Sequence, residues 1–261
     1  MVDLFLHKLN YFLFSKHKKG FSIHSPFLFD LITLVFNDNS DKLAYRKLDL
    51  IRKELIHSQK VITVKDYGAG SKKFMSNTRK VSEIARYSSV RKKYGKLLFN
   101  LTAYYKPKTI LELGSSLGIS TSYLALGNPD ARVVSIEGCP ETAKIAQETV
   151  LLTGANNVTI VNGPFEEVLP LSFFDLRTLQ FVFFDGNHTK EATLNYFEQC
   201  LHFISNDTIF VFDDIHWSEG MEEAWEIIKK NNKVTLTVDV FQFGIVYFNN
   251  ELSKQDFVVR Y

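Results

Sequence analysis

The chain is 261 residues long, 45% hydrophobic and 23% charged, an ordinary globular composition that excludes a disordered or low-complexity chain. Its two cysteines, Cys139 and Cys200, are too few for a disulfide framework and lack metal-ligand spacing, so a reducing, cytoplasmic setting is expected. The net charge of +2 conceals 22 Lys+Arg against 8 Asp+Glu up to residue 108 (+14), and 9 against 21 beyond it (−12).

The opening MVDLFLHKLNYFLFSKHKKG is apolar, but Asp3, His7 and Lys8 break it early and no small-residue cleavage site follows. No apolar run approaches the roughly 18 residues of a membrane span. LFLHKLNYFLF followed by KHKKG is compatible with an amphipathic helix at a membrane surface or a partner. HSPFLFDLITLVF predicts a helix with Ser25 as its cap and Pro26 in its first turn. In SDKLAYRKLDLIRKELIH, Leu43, Leu48, Ile51 and Leu55 recur at helical spacing, with Ser40 and Asp41 available as caps. A looser polar segment runs from about Lys65 to Lys80 and contains VKDYGAGSKK; VRKKYGKLLFNLTAYY then resumes the helical period and ends before Pro107. The basic charge of this part either attracts an anionic partner or is a set of solvated helix faces.

Beyond Pro107 the period changes. TILEL, RVVSI, VTIV, LQFVFF and TIFVF are each followed by a turn and a helical stretch, and VTLTVDV with FQFGIVYF reads as a closing hairpin. Five βα units and a hairpin predict an α/β fold: a seven-stranded, mostly parallel, Rossmann-like sheet with helices on both faces, preceded by a helical lobe. The division expected is 1–89 for the basic lobe, a substrate cap or interaction module, and 90–261 for the α/β domain.

Two glycine loops compete for a cofactor. A loop of this kind leaves a strand, turns without side chains in the way, and enters a helix whose amides face the ligand. TILELGSSLGISTSYLALG has all three parts, with Gly114 and Gly118 for close backbone approach and Glu112 at the strand end. The next strand, RVVSIEG, ends in Glu137, suited to two ribose hydroxyls. VKDYGAGSKK has Lys72 in place of a third glycine and no apolar helix after Ser71. It reads as a substrate-facing loop or as a plain glycine turn between helical segments.

ELGSSLGIS, SIEG, VNGPFEE, FFDGNH and FDDIHW, in that order, resemble the successive loops of class I S-adenosylmethionine-dependent methyltransferases, nearest to small-molecule O-methyltransferases of the catechol O-methyltransferase type. The resemblance covers roughly residues 90 to 248. It implies S-adenosyl-L-methionine as cofactor, with Glu112, Gly114, Ser115, Gly118 and Ser120 around its methionine part, Glu137 and Gly138 at the ribose, Gly163 and Phe165 near the adenine, and Asp185 also in contact. The GxGxxG of a dinucleotide-binding dehydrogenase is absent, since Ser116 replaces its second glycine.

The resemblance also implies a divalent cation, Mg²⁺ or another, on Asp185, Asp213 and Asp214, with Asp214 where the family carries asparagine. The alternative is that Asp213 and Asp214 cap the helix beginning near Ser218. His188 falls where the family has its lysine base, which departs from that pattern and from a catechol substrate; His216 is the competing base, and Trp217 either lines the same mouth or packs the next helix. The expected activity is O-methylation of a small-molecule acceptor, with Asp185, His188 and His216 as candidate catalytic residues. Two alternatives remain: an RNA or protein methyltransferase using the basic lobe, and a cofactor-binding protein without catalysis.

Overall fold

The computed structural model describes residues 11, 15, 24–40, 42–65 and 77–261. The expected N-terminal amphipathic helix and the Asp66–Lys73 loop therefore lie outside the described residues, single positions apart.

In chain order, α1 spans Pro26–Asp30 and continues as π-helical turns over Leu31–Phe36. Ser25 caps it as predicted, its side chain accepting from the Leu28 N–H at 3.3 Å. Helix α2 is Leu43–His57 and buries Tyr45, Leu48 and Ile51. Leu43, expected on that face, is 81% exposed; Tyr45 takes its place because the buried stripe runs at 45, 48 and 51. Strands β1, Val61–Thr63, and β2, Thr78–Lys80, pair antiparallel as a small ribbon that helical periodicity did not announce. Helices α3, Val81–Tyr87, and α4, Lys92–Tyr105, follow, the latter ending at Lys106 in left-handed conformation just before Pro107.

The alternation expected beyond Pro107 is present: β3 Thr109–Leu113, α5 Ile119–Gly127, β4 Arg132–Glu137, α6 Pro140–Thr153, β5 Val158–Asn162, α7 Phe165–Leu176, β6 Leu179–Phe184, α8 Lys190–Cys200, β7 Ile204–Asp213, α9 Glu219–Lys230, β8 Leu236–Asp239 and β9 Phe243–Tyr247. An additional strand, β10 at Gln255–Val258, pairs parallel with β8, so the mostly parallel sheet has eight strands, one more than expected.

The chain divides into two compact units, residues 40–177 and the described residues up to 39 together with 178–261. In the first unit β3, β4 and β5 are parallel and in register, so that Glu112 lies beside Ser135 and Glu137 beside Asn162. Helices α2, α3 and α4 belong to this same unit, although the sequence reading assigned α2 and α3 to a separate lobe ending at residue 89. Ile62 of the ribbon joins Val81, Ile84, Leu117 and Ile145 in one buried cluster, which ties α3 to the loop after β3.

In the second unit β6 and β7 are parallel, and Phe184 lies beside Phe212. The closing hairpin forms as expected: β9 is antiparallel to both β7 and β8. Trp225, not Trp217, packs the helix after β7; Trp225 is buried against Phe212 and Gly244, whereas Trp217 is half exposed. Both cysteines are free and buried. Among the described residues, no helix is long and apolar enough to cross a membrane.

Helices α4 and α5 approach closely because two glycines remove Cβ atoms from the contact. A Cβ on Gly95 would lie 2.3 Å from Cε2 of the fully buried Tyr123, and one on Gly127 would lie 2.0 Å from Thr102 Oγ1. The Thr102 hydroxyl reaches the Leu124 carbonyl across the helices at 3.1 Å. Gly95→Ala forces the Tyr123 ring to move in a packed interior, so denaturant unfolding should show a loss of about 1–3 kcal/mol; an unchanged midpoint would mean that α4 and α5 are not tightly packed here.

Candidate functional site

The loop after β3 is shaped by its backbone. Gly114, Ser116 and Gly118 have φ of 100°, 46° and 80°, and Gly118 opens α5 from the left-handed region. No side chain fits at Gly118, because a Cβ there would lie 2.8 Å from the Ala146 carbonyl oxygen. Gly114 and Ser115 still donate to the Ile136 carbonyl, so the loop leaves the sheet only after Ser115.

Two carboxylates organise this loop. Glu112 is wholly buried, and its Oε2 accepts from the hydroxyls of Thr121 on α5 and Ser135 on β4, each at 2.5 Å. Its Oε1 is buried without a partner at hydrogen-bond distance, although Ser120 lies near enough to ease its charge. Burial pushes its pKa up to about 7, against the hydroxyls of Ser120, Ser135 and Thr121, while the neighbouring Glu137 adds to the rise. Glu137 is half-buried at the end of β4: Oε2 accepts from the Ser116 N–H at 2.8 Å and Oε1 from the Cys139 N–H at 2.9 Å. Asn162, its neighbour on β5, donates to the carbonyls of Glu137 and Gly138 at 2.7 and 3.1 Å, and Gly163 N–H donates to the Glu137 carbonyl at 3.1 Å. Phe165 begins α7 two residues later and is half-buried. Residues 112–120, 137–138 and 163–165, predicted from three separate stretches of sequence, thus gather in one unit at the carboxyl ends of three parallel strands. A buried carboxylate oxygen without a hydrogen-bond partner, beside a loop whose turn runs through Gly114 and Gly118, fits a ligand carrying a cationic group.

The second unit holds the other predicted residues. Asp185 follows β6 and Asp213 ends β7, so the register of Phe184 with Phe212 sets the two acids side by side. His188, three residues after Asp185, turns back to it, with Nε2 at 3.7 Å from Oδ1. One ligand atom each of Asp185, His188 and Asp213 lies within 4.8 Å of the others. Asp213 Oδ1 also accepts from the Asp214 N–H at 2.8 Å and from Gln242 Nε2 at 3.1 Å. Burial, followed by the charge of Asp214, pushes the Asp213 pKa up to about 8, against hydrogen bonds from Asp185, Gln242 and the Asp214 backbone. Burial likewise lowers the His188 pKa and so favours the neutral imidazole, while the charge of Asp214 opposes it. Asp214 adopts φ 53° and stands outside the converging trio.

His216 is held elsewhere. Its Nε2 is 2.8 Å from Asp239 Oδ2 and its Nδ1 is 3.3 Å from Glu222 Oε1. Burial lowers its pKa, but Asp239 and then Glu222 outweigh that and raise it. Two carboxylates on opposite edges of one ring make it a clamp joining the loop after β7 to α9 and β8, a geometry that argues against the role of base expected for it. Nor do Asp213 and Asp214 provide the cap of α9, since the Ser218 hydroxyl accepts from the Met221 N–H at 3.3 Å. Sequence reading missed Thr121, Ser135 and Gln242. Ser135 was visible as the lone hydroxyl among the apolar residues of RVVSI, one strand over from Glu112; nothing local marks Gln242, whose role comes from the β8–β9 turn.

This is a Rossmann-like methyltransferase fold. Residues 111–215 match a family model described as a methyltransferase domain, which is less than half of the chain. Catechol O-methyltransferase of Sus scrofa is 34% identical over 113 residues, 42% of this chain and 60% of the relative; that of Mycobacterium tuberculosis is 31% identical over 132 residues, 49% of this chain and 57% of the relative. The chain thus spans less than two thirds of the curated relatives it matches. Among solved structures, the O-methyltransferase TomG from Streptomyces achromogenes, in complex with SAM, superposes with a TM-score of 0.58 at 20% identity, covering 81% of this chain and 92% of that one.

The raised pKa of Glu112 has a sign that stability measurements can read. A carboxyl whose folded pKa lies above its ordinary value binds its proton more tightly when folded, so the folded state carries no penalty below about pH 4.5 and an increasing one as pH climbs to about 7. Stability of the ligand-free protein should fall by roughly 3 kcal/mol across that window from this group. Glu112→Gln should remove that part of the slope while the contributions of Asp213, His188 and His216 remain; equal slopes for both proteins in urea melts would refute the assignment.

Proposed function

We propose that this chain is an S-adenosylmethionine-dependent O-methyltransferase acting on a small-molecule hydroxyl, assisted by a divalent cation. The observation that carries the reading is the buried, partnerless Oε1 of Glu112 at the end of β3. The amino group of the cofactor's methionine part supplies the cation such an oxygen lacks, and both the methyltransferase-domain match and the O-methyltransferase relatives support that choice.

The cofactor supplies a methyl group activated on a sulfonium centre, so the protein's work is alignment and proton removal. Glu112 holds an ammonium and, by drawing Thr121 and Ser135 onto Oε2, fixes the first turn of α5 against β4. Gly114 and Gly118 admit the ligand to the backbone; Ser115 and Ser120 offer hydroxyls beside it. Glu137, braced by two amides at the end of β4, stands where the ribose hydroxyls would be held, with Gly138 behind it and Gly163 and Phe165 at the adenine. Asp185, His188 and Asp213 hold the acceptor hydroxyl and take up its proton, at a carboxylate oxygen or at the imidazole that burial keeps neutral. The basic residues before residue 90 serve as a substrate cap, and the residues from 90 onward hold the cofactor and the acceptor hydroxyl.

Calorimetry with S-adenosylhomocysteine should show one site per chain. Glu137→Ala should weaken it by roughly 1.5–3 kcal/mol, the scale of hydrogen bonds to a charged group. Binding of NAD with none of S-adenosylhomocysteine would overturn the reading. Turnover assayed on a panel of phenolic and alcoholic acceptors should fall when EDTA is added; full rate in EDTA would remove the cation from the proposal.

A further inference from the structure

We propose that Asp185, His188 and Asp213 form a site of two carboxylates and one imidazole that selects a first-row transition metal, Mn²⁺ or Co²⁺, over Mg²⁺. The inference deepens the cation expected above and changes its ligands. The resemblance implied three oxygen ligands from Asp185, Asp213 and Asp214; the structure converges a nitrogen with two oxygens and leaves Asp214 out.

Three features favour this set. The ligand atoms come from adjacent strand ends fixed by register, with Asp185 after β6 and Asp213 at the end of β7. His188 Nε2 lies 3.7 Å from Asp185 Oδ1 and no pair of donors in the trio is more than 4.8 Å apart, so the side chains must draw in by about 1 Å to share one ion at bond lengths near 2.1 Å, a movement within reach of their rotamers. The outer partners are also in place: the Asp214 N–H and the Gln242 amide both grip Oδ1 of Asp213, which fixes the plane of that carboxylate before any ion arrives.

Donor chemistry then decides between metals. Mg²⁺ takes oxygen donors in strict octahedral geometry and retains its waters, whereas a mixed set with an imidazole favours first-row transition metals, with affinity rising along the row from Mn²⁺ to Co²⁺ and beyond. Two carboxylates beside each other repel, and a dication between them removes the repulsion. Three protein donors leave positions open for an acceptor oxygen. This arrangement assigns His188 to ligation in place of proton removal. Metal binding stands on the geometry alone; its use for an acceptor rests on the methyltransferase reading.

The test is calorimetric titration of the EDTA-stripped, dialysed full chain with Co²⁺, Mn²⁺ and Mg²⁺, together with the visible absorption of the Co²⁺ form. Co²⁺ and Mn²⁺ should each bind at least about tenfold more tightly than Mg²⁺. His188→Ala should weaken Co²⁺ by at least about tenfold and shift its absorption band, and His188→Asn, which exchanges nitrogen for oxygen, should narrow the preference for Co²⁺ over Mg²⁺. Asp214→Asn should leave Co²⁺ affinity within about threefold, under 1 kcal/mol. S-adenosylhomocysteine binding by each variant reports that it is folded. The proposal is overturned if Mg²⁺ matches Co²⁺, if Co²⁺ affinity is unmoved by His188→Ala, if Asp214→Asn abolishes it, or if none of the three ions binds. Wild-type protein that binds Co²⁺ but not S-adenosylhomocysteine would sink the methyltransferase reading and leave the metal site standing.

Discussion

A single buried carboxylate sets the geometry of the first unit. Glu112 comes to the end of β3 with nowhere to send its charge, and the chain answers with hydroxyls from two directions, Thr121 in the first turn of α5 and Ser135 on the neighbouring strand. Ser135 in turn lies 2.5 Å from Ser115, so one small network joins the strand end, the loop and the helix. Gly114 and Gly118 adopt their positive φ freely, but Ser116, at φ 46°, takes a left-handed conformation that costs a residue with a Cβ. Glu137 grips the same loop from the far side through the Ser116 amide. With Oε2 satisfied and Oε1 eased only by the nearby Ser120, the carboxylate has room for a cationic donor on its second oxygen.

The second unit solves the opposite problem. Asp185 and Asp213 are forced together by in-register parallel pairing, and the surroundings raise the cost of charging them both. Where Glu112 is steadied by neutral hydroxyls, these acids are steadied by each other, by an amide side chain and by a neutral imidazole. A carboxylate pair of this kind holds either a proton or a metal ion, and the occupant decides whether the imidazole beside it acts as base or as ligand.

How much of this was legible in the sequence differs by element. The alternating βα pattern beyond Pro107 was readable because buried parallel strands leave uninterrupted runs such as LQFVFF, and each loop that carries chemistry falls at the end of such a run. Glu112, Glu137, Asp185 and Asp213 were all found in this way. The ribbon of β1 and β2 was not, since three-residue strands carry too little period to register. Nor was β10, whose partner β8 is fixed only by tertiary pairing. His188 and His216 look alike in sequence, each a few residues past an acidic strand end; what separates them is Asp239 and Glu222, which are distant in the chain and close in space. The role of Tyr45 in place of Leu43 on the buried face of α2 follows the same logic, because the Tyr45 hydroxyl finds Asn100 at 2.6 Å across to α4 and can be buried without cost to its polar end.

The acidic trio is also where backbone strain collects in the second unit. Asn187, Asp214 and Phe241 all have positive φ, of 51°, 53° and 74°. Asparagine and aspartate tolerate that region; a bulky phenylalanine does not, so something must hold it there. The holders are identifiable. Phe241 N–H donates to Asp239 Oδ1 at 2.7 Å, and the other oxygen of Asp239 carries His216. Gln242, the next residue, reaches Asp213. His216 therefore acts on the trio at one remove: by fixing Asp239 it fixes the turn, and by fixing the turn it aims Gln242 at the carboxylate that ends β7. The strain is sustained by a chain of hydrogen bonds anchored on a charged clamp, and its product is an acid whose orientation is set before any ligand binds.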